Sequence, residues 1–190
     1  MTIRIICATA AACGALLFAA TGSQAAISVI GGGPAEMCYQ AADSGQSPFE
    51  FIAYCDQALA GTLSEQDRAA TYINRGVLKL AMNMPDRAAN DFVDGLKIND
   101  KLGEGYVDLG ATQISHKRFA EAIANINKGL TLGTKQPQVA YYDRAMADEA
   151  LGNLQGAYDD YRQALTIQPD FTPASDELKR FKVVDKPSGT

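Results

Sequence analysis

The sequence predicts an all-α chain of repeated helical hairpins, and two observations predict it. Between Ala69 and Asp170 one pattern returns at intervals of 34 to 35 residues in three copies. Its anchors are Tyr72, Gly76, Ala88, Phe92, Gly95 and Leu96 in copy one, and Tyr106, Gly110, Ala122, Ile126, Gly129 and Leu130 in copy two. Copy three reads Tyr141, Ala145, Ala157, Tyr161, Ala164 and Leu165. The second observation is the chemistry of those anchors. Small residues on both helices of a hairpin let backbones approach closely, and the aromatic or large apolar residues fill the space between layers. Such a unit buries its apolar face only by stacking on its neighbours.

Each element has its own local reason. Arg4 precedes an apolar run from Ile5 to Ala20, and Ser23-Gln24-Ala25 supplies the small residues that suit signal peptidase. Residues 1–25 are therefore expected to be an export signal, cleaved near Ala25. A membrane anchor fits less well, because the run falls short of the roughly 20 residues a span needs. Acylation at Cys13 would cut the apolar region before Leu16, Leu17 and Phe18. Ala26 to Gly33, with Gly31-Gly32-Gly33, is expected to be a flexible linker. Residues 34–62 read as a degenerate helical hairpin. Pro34 starts a short helix through Ala42, Asp43-Ser44-Gly45 break it, and Ser47-Pro48 opens a second with Phe49, Ile52, Ala53 and Leu59 near one face.

After the break at Gly61-Thr62-Leu63, Ser64 offers an N-cap with Glu65 and Asp67 in an acidic first turn. The repeat hairpins are then expected at Glu65–Met82 with Pro85–Ile98, Gly103–Lys117 with Phe119–Leu132, and Pro137–Leu151 with Leu154–Ile167. Gln168-Pro169-Asp170 ends the last copy. Asp176 to Lys182 is expected to form a C-terminal helix with a charged outer face (Glu177, Lys179, Arg180, Lys182), which closes a repeat domain over residues 63–182. Residues 183–190 read as a tail.

This period and this aromatic/small grammar resemble the tetratricopeptide repeat, a helix–turn–helix unit that stacks into a superhelix. The resemblance covers Ala69 to Asp170 in full and Pro34 to Ala60 in part. It implies an all-α superhelix of about three repeats, with a degenerate N-terminal hairpin before them and a capping helix after. It also implies an inner groove lined by one face of each first helix. Carried over residue by residue, those positions are Ile73, Asn74, Val77 and Leu80, then Val107, Asp108, Ala111 and Ile114, then Tyr142, Asp143, Met146 and Glu149. The floor is apolar and is crossed by a row of Asn74, Asp108 and Asp143. Relatives that clamp a C-terminal carboxylate use Lys and Arg in this groove; here those places are apolar or acidic, apart from Asn74. The expected occupant is an extended or helical segment with apolar side chains and some positive charge. Coverage of the same face by an adjacent helix is the other reading.

Composition narrows the function classes. The net charge is −5 and deepens to about −6 once Arg4 leaves with the signal. Without basic clusters, this argues against nucleic acid and anionic membrane as partners. Cys7 and Cys13 leave with the signal, while Cys38 and Cys55 remain without the spacing of a redox pair or a histidine pair for metal. In an exported chain they read as a disulfide, with two buried free thiols as the alternative. His116 stands beside Lys117 and Arg118 without partners for a base or a ligand. Asp86, Asp91 and the pair Asp159-Asp160 read as helical charge on solvated faces rather than as catalytic carboxylate pairs. Arg75 and Asp91 occur together in copy one and Arg144 and Asp160 in copy three, whereas copy two has Leu109 and Asn125. That joint presence predicts an ion pair between the two helices of one repeat.

No catalytic site, metal or cofactor is expected. The expected function is a non-catalytic protein-interaction module, an adaptor or assembly factor of the bacterial cell envelope, periplasmic or secreted. Two alternatives come from other classes: a small-ligand binding protein using Tyr142 and Met146, or an accessory subunit of a separately encoded enzyme. Oligomeric state is not legible.

Overall fold

Proline supplies several of the helix starts, because its missing N–H is one that a first turn leaves unpaired anyway. In the computed structural model, which describes residues 3–7, 26–29 and 32–185, Pro34, Pro48 and Pro85 each open a helix. The elements are β1 (Ile3–Cys7), α1 (Pro34–Ser44), α2 (Pro48–Ala60), α3 (Glu65–Ala81), α4 (Pro85–Ile98), α5 (Gly103–Ser115) and α6 (Phe119–Leu132), then α7 (Pro137–Ala150), α8 (Leu154–Ile167), α9 (Thr172–Leu178) and β2 (Phe181–Asp185). The fold is all-α in its body, a tetratricopeptide-like series of helical hairpins. Ser64 caps α3 as its sequence suggests: its Oγ accepts from the Asp67 amide at 3.0 Å and donates to the Asp67 carboxylate at 2.7 Å.

The chain divides into two compact units. The unit Gly22–Gln136 holds three hairpins, α1/α2, α3/α4 and α5/α6, each packed on the next. A disulfide joins Cys38 on α1 to Cys55 on α2, both fully buried. The unit made by Pro137–Thr190 with Met1–Thr21 holds α7/α8, the short α9 and an antiparallel ribbon in which Ile3 pairs with Asp185 and Cys7 with Phe181. The remainder of the expected export signal lies outside the described residues.

Three sequence expectations change here. Ala26–Val29 is no free linker: Ala26 and Val29 are buried. The C-terminal helix is Thr172–Leu178 and not Asp176–Lys182, because Pro173 supplies a first-turn residue and Phe171 and Leu178 pack onto the α8 aromatic cluster. Val183–Asp185 belongs to β2 and not to a tail, and residues 186–190 lie outside the described residues.

The hairpin turns repeat as closely as the helices. Asn83, Lys117 and Gly152 occupy the left-handed region, with φ of 57°, 60° and 82°. The following amides of Met84, Arg118 and Asn153 donate back to the carbonyls of Lys79, Gln113 and Asp148 at 2.8–2.9 Å. This is a Schellman ending, which pairs carbonyls that a helix C-terminus would leave open. Glycine takes the position in copy three; Asn and Lys take it in the other two.

The small residues do what the pattern requires. A Cβ placed on Gly110 would lie 2.6 Å from Ile126 Cγ1 and 3.2 Å from the Ala122 carbonyl oxygen. Gly110→Val is therefore expected to destabilise by about 1–3 kcal/mol through overpacking. Thermal or denaturant unfolding checks it, and an unchanged curve would contradict the α5–α6 contact.

The paired charges also meet. Arg75 Nε and Nη2 donate to the two Asp91 oxygens at 2.9 and 2.7 Å, and Arg144 does the same to Asp160 at 2.7 and 2.7 Å. Lys79 adds a third contact to Asp91 at 2.6 Å. Copy two replaces the whole arrangement with a neutral one, Asn125 Nδ2 donating to Gln113 Oε1 at 2.8 Å. Gln113 stands one repeat after Lys79, so two positions changed character together.

Candidate peptide-binding groove

The groove residues of the first unit lie on α3 and α5, and they divide by where they face. Ile73 and Val107 point into the hairpin layers. Ile73 would stand 2.8 Å from a Cβ on either Gly95 or Gly105, and Val107 2.6 Å from one on Gly129. Those glycines exist to receive the two branched side chains, so Ile73 and Val107 are core residues rather than groove lining. The equivalent Tyr142 packs edge-on against Phe171 at 5.6 Å and against Tyr161 at 5.7 Å. Burial, then the charge of Glu177, pushes its phenol up to about 12. Ile114 is buried, and Leu80 and Ala111 are half-buried.

Asn74 is fully buried, and its carboxamide grips the backbone of Ile27. Asn74 Oδ1 accepts from the Ile27 amide at 2.7 Å, and Asn74 Nδ2 donates to the Ile27 carbonyl at 2.7 Å. One side chain thus satisfies both polar groups of one residue in an irregular stretch. Lys135, after α6, donates through Nζ to the Ala26 carbonyl at 3.3 Å, and its own amide donates to Glu104 Oε1 at 3.1 Å. Ala26 joins the cluster that contains Val77, Cys38 and Cys55, while Val29 packs with Ala35, Ala58 and Ala70. Ser28, between them, is exposed. Ala26 and Val29, three residues apart, enter different clusters, and the half-buried Ile27 packs against both.

The first-unit groove therefore holds a segment of its own chain. Sequence reasoning found Asn74 and Val77 but missed Lys135 and the occupant. The available signal was the apolar content of Ala26, Ile27 and Val29, overshadowed by the three glycines after it. Asp108, one repeat after Asn74, is also buried, at 3% exposure.

In the other unit the copy-three positions meet the chain's own C-terminal elements. Arg180 makes a two-pronged contact with Glu149 at 2.8 and 2.8 Å, and the Tyr161 hydroxyl donates to the same carboxylate at 3.2 Å. Arg180 also pairs with Glu177. Met146 is half-buried in the same aromatic cluster. Asp143 is only 9% exposed, and burial pushes its carboxyl up to about 7.

Nothing in these contacts assembles a reaction centre. His116 ends α5, with Nδ1 2.8 Å from the Thr112 carbonyl and Nε2 2.9 Å from an exposed Asp86 oxygen. Among the described residues no group of three or more His, Cys, Asp or Glu side chains converges as a metal site. Among them, too, no helix is long and apolar enough to cross a membrane.

The comparisons agree with this architecture. A family model described as tetratricopeptide repeat matches residues 139–171. No curated protein matches the chain by sequence. Among solved structures, the chain is similar to the Arabidopsis OM64 TPR domain, with 22% identity, a TM-score of 0.58, and coverage of 62% of this chain and 96% of that one. It is similar to the first TPR of Spaghetti (RPAP3) bound to the HSP90 peptide SRMEEVD, at 22% identity and TM-score 0.56, over 61% of this chain and 94% of that one. A third is YrrB, a TPR protein with an unusual peptide-binding site, at 17% identity and TM-score 0.58, over 70% of this chain and 66% of that one.

Proposed function

From a chain built of tetratricopeptide repeats, we propose a non-catalytic protein-interaction module that binds an extended peptide segment of a partner in the groove of α3 and α5. The observation that carries this reading is the Asn74 carboxamide, which holds both backbone polar groups of Ile27. Backbone contacts of this kind give affinity for extended chain irrespective of most side chains, and flanking apolar pockets add selectivity. Peptides bound by RPAP3 and an unusual peptide site in YrrB lend the fold-level precedent. The setting we propose is the bacterial cell envelope, after export and cleavage near Ala25, a cut that also removes β1 from its pairing with β2. Its support is the basic-then-apolar leader from Arg4 to Ala20 and the Cys38–Cys55 disulfide, which suits an oxidising compartment.

Site-specific photo-crosslinkers at Leu80 and Ala111, with Lys179 as an outer-face control, test the reading in cells. A discrete adduct from the two groove positions and none from Lys179 is expected. Adducts from Lys179 alone, or from no position, would overturn it.

A further inference from the structure

The occupant of the groove says what chemistry the groove accepts. Ala26 is 1% exposed and Val29 9%, so two small or β-branched apolar side chains are received in closed positions. Between them the Ile27 amide and carbonyl are read by Asn74, the Ala26 carbonyl by Lys135, and the Ser28 side chain by nothing but solvent. The recognition pattern is a small residue, an apolar residue gripped through both of its backbone groups, a tolerant position, and a β-branched residue. No helix or sheet ladder competes for those backbone groups, because the segment is irregular.

We propose that Ala26–Val29 is the resident ligand of this groove, and that a partner binds by presenting an irregular segment with apolar side chains of the same pattern in its place. The proposal rests on the peptide-binding reading above and adds the partner's chemistry and a built-in competitor. An apolar occupant replaces the partly cationic one that the acidic row suggested, since the closed positions take Ala26 and Val29 and Lys135 already brings positive charge to the Ala26 carbonyl. Because the segment is tethered directly before α1, it acts at an effective concentration in the millimolar range. A partner must therefore outcompete it, and free peptide binding to the intact chain is weakened accordingly.

The probe is a synthetic peptide spanning Ala26–Gly33, titrated onto the full chain and onto Ile27→Pro. That substitution deletes the amide that donates to Asn74 and touches no helix. Ala26→Asp, which puts a carboxylate at a closed position, is a second route to the same expulsion. The expected result is binding to either expelled variant at least about tenfold tighter than to the unmodified chain, with helical content retained. Hydrogen exchange on the unmodified chain needs no variant, and the Ile27 amide is expected to exchange about a hundredfold more slowly than in unstructured chain. Equal peptide binding to all three proteins, or free exchange at Ile27, would overturn the proposal. The two readings separate cleanly. Peptide binding to the expelled variants without any groove crosslink would keep the resident ligand and remove the adaptor. Groove crosslinks with a freely exchanging Ile27 would do the reverse.

Discussion

Asp143→Asn is expected to raise stability at about pH 8 and to leave it nearly unchanged at about pH 4, flattening the pH dependence between. The Asp143 carboxyl sits at about 7 in the folded chain because burial disfavours its charge, whereas an unfolded aspartate titrates near ~3.9. Between those values the native state binds the extra proton, so unfolding releases it and stability falls as pH rises. Below the unfolded value both states are protonated and the group contributes nothing. Above the folded value the full cost of burying a carboxylate is present, on the order of 4 kcal/mol. Asparagine has the shape of the protonated form and never ionises. Denaturant unfolding of both proteins across this range is the check, and parallel pH profiles would show that Asp143 is solvated in the native state.

Removing the Cys38–Cys55 bridge is expected to cost about 3 kcal/mol, the chain-entropy value for a loop of this length. The sequence separation is 17 residues, and both cysteines are fully buried in the cluster that holds Ala26 and Val77. Cys38→Ala with Cys55→Ala, compared with the unmodified chain with and without reductant, measures it. The hairpin α1/α2 lacks the glycine-and-alanine grammar of its successors, so the bridge stands in for packing that the sequence does not supply. Equal midpoints in oxidised, reduced and substituted forms would mean that packing alone holds it.

Much of this was legible in the chain because the information is local. The Arg75–Asp91 and Arg144–Asp160 contacts could be inferred from their joint absence in copy two, and second-helix starts at Pro85, Phe119 and Leu154 stand where the pattern puts them. What was not legible depends on distant or degenerate signals. Ile73, Val107 and Tyr142 resemble groove residues until Gly95, Gly129 and Phe171 are seen to receive the packing that faces them. The grip of Asn74 on Ile27 joins residues 47 apart, and no periodicity reports it. The glycines at 31–33 suggested freedom for a stretch whose first four residues are held by backbone bonds and buried apolar groups. The left-handed Lys117 was hidden because only glycine advertises that conformation.

The alternation of charged and neutral clasps has a consequence for how adjoining hairpins avoid exchanging partners while the chain folds. Helices α3 and α5 carry the same spacing of small residues, so either offers a plausible docking surface to α4 or α6. Arg75 finds a carboxylate on α4 but only Asn125 on α6, and Asp91 would meet Leu109 if α4 docked on α5. A swapped pairing would bury Asp91 away from both Arg75 and Lys79, at a penalty of several kcal/mol, whereas Arg75 would keep only Asp56 of α2. Repeats that look interchangeable to an apolar core are thereby made distinguishable to one another, and misassembly of neighbours is discouraged by charge where shape alone would permit it.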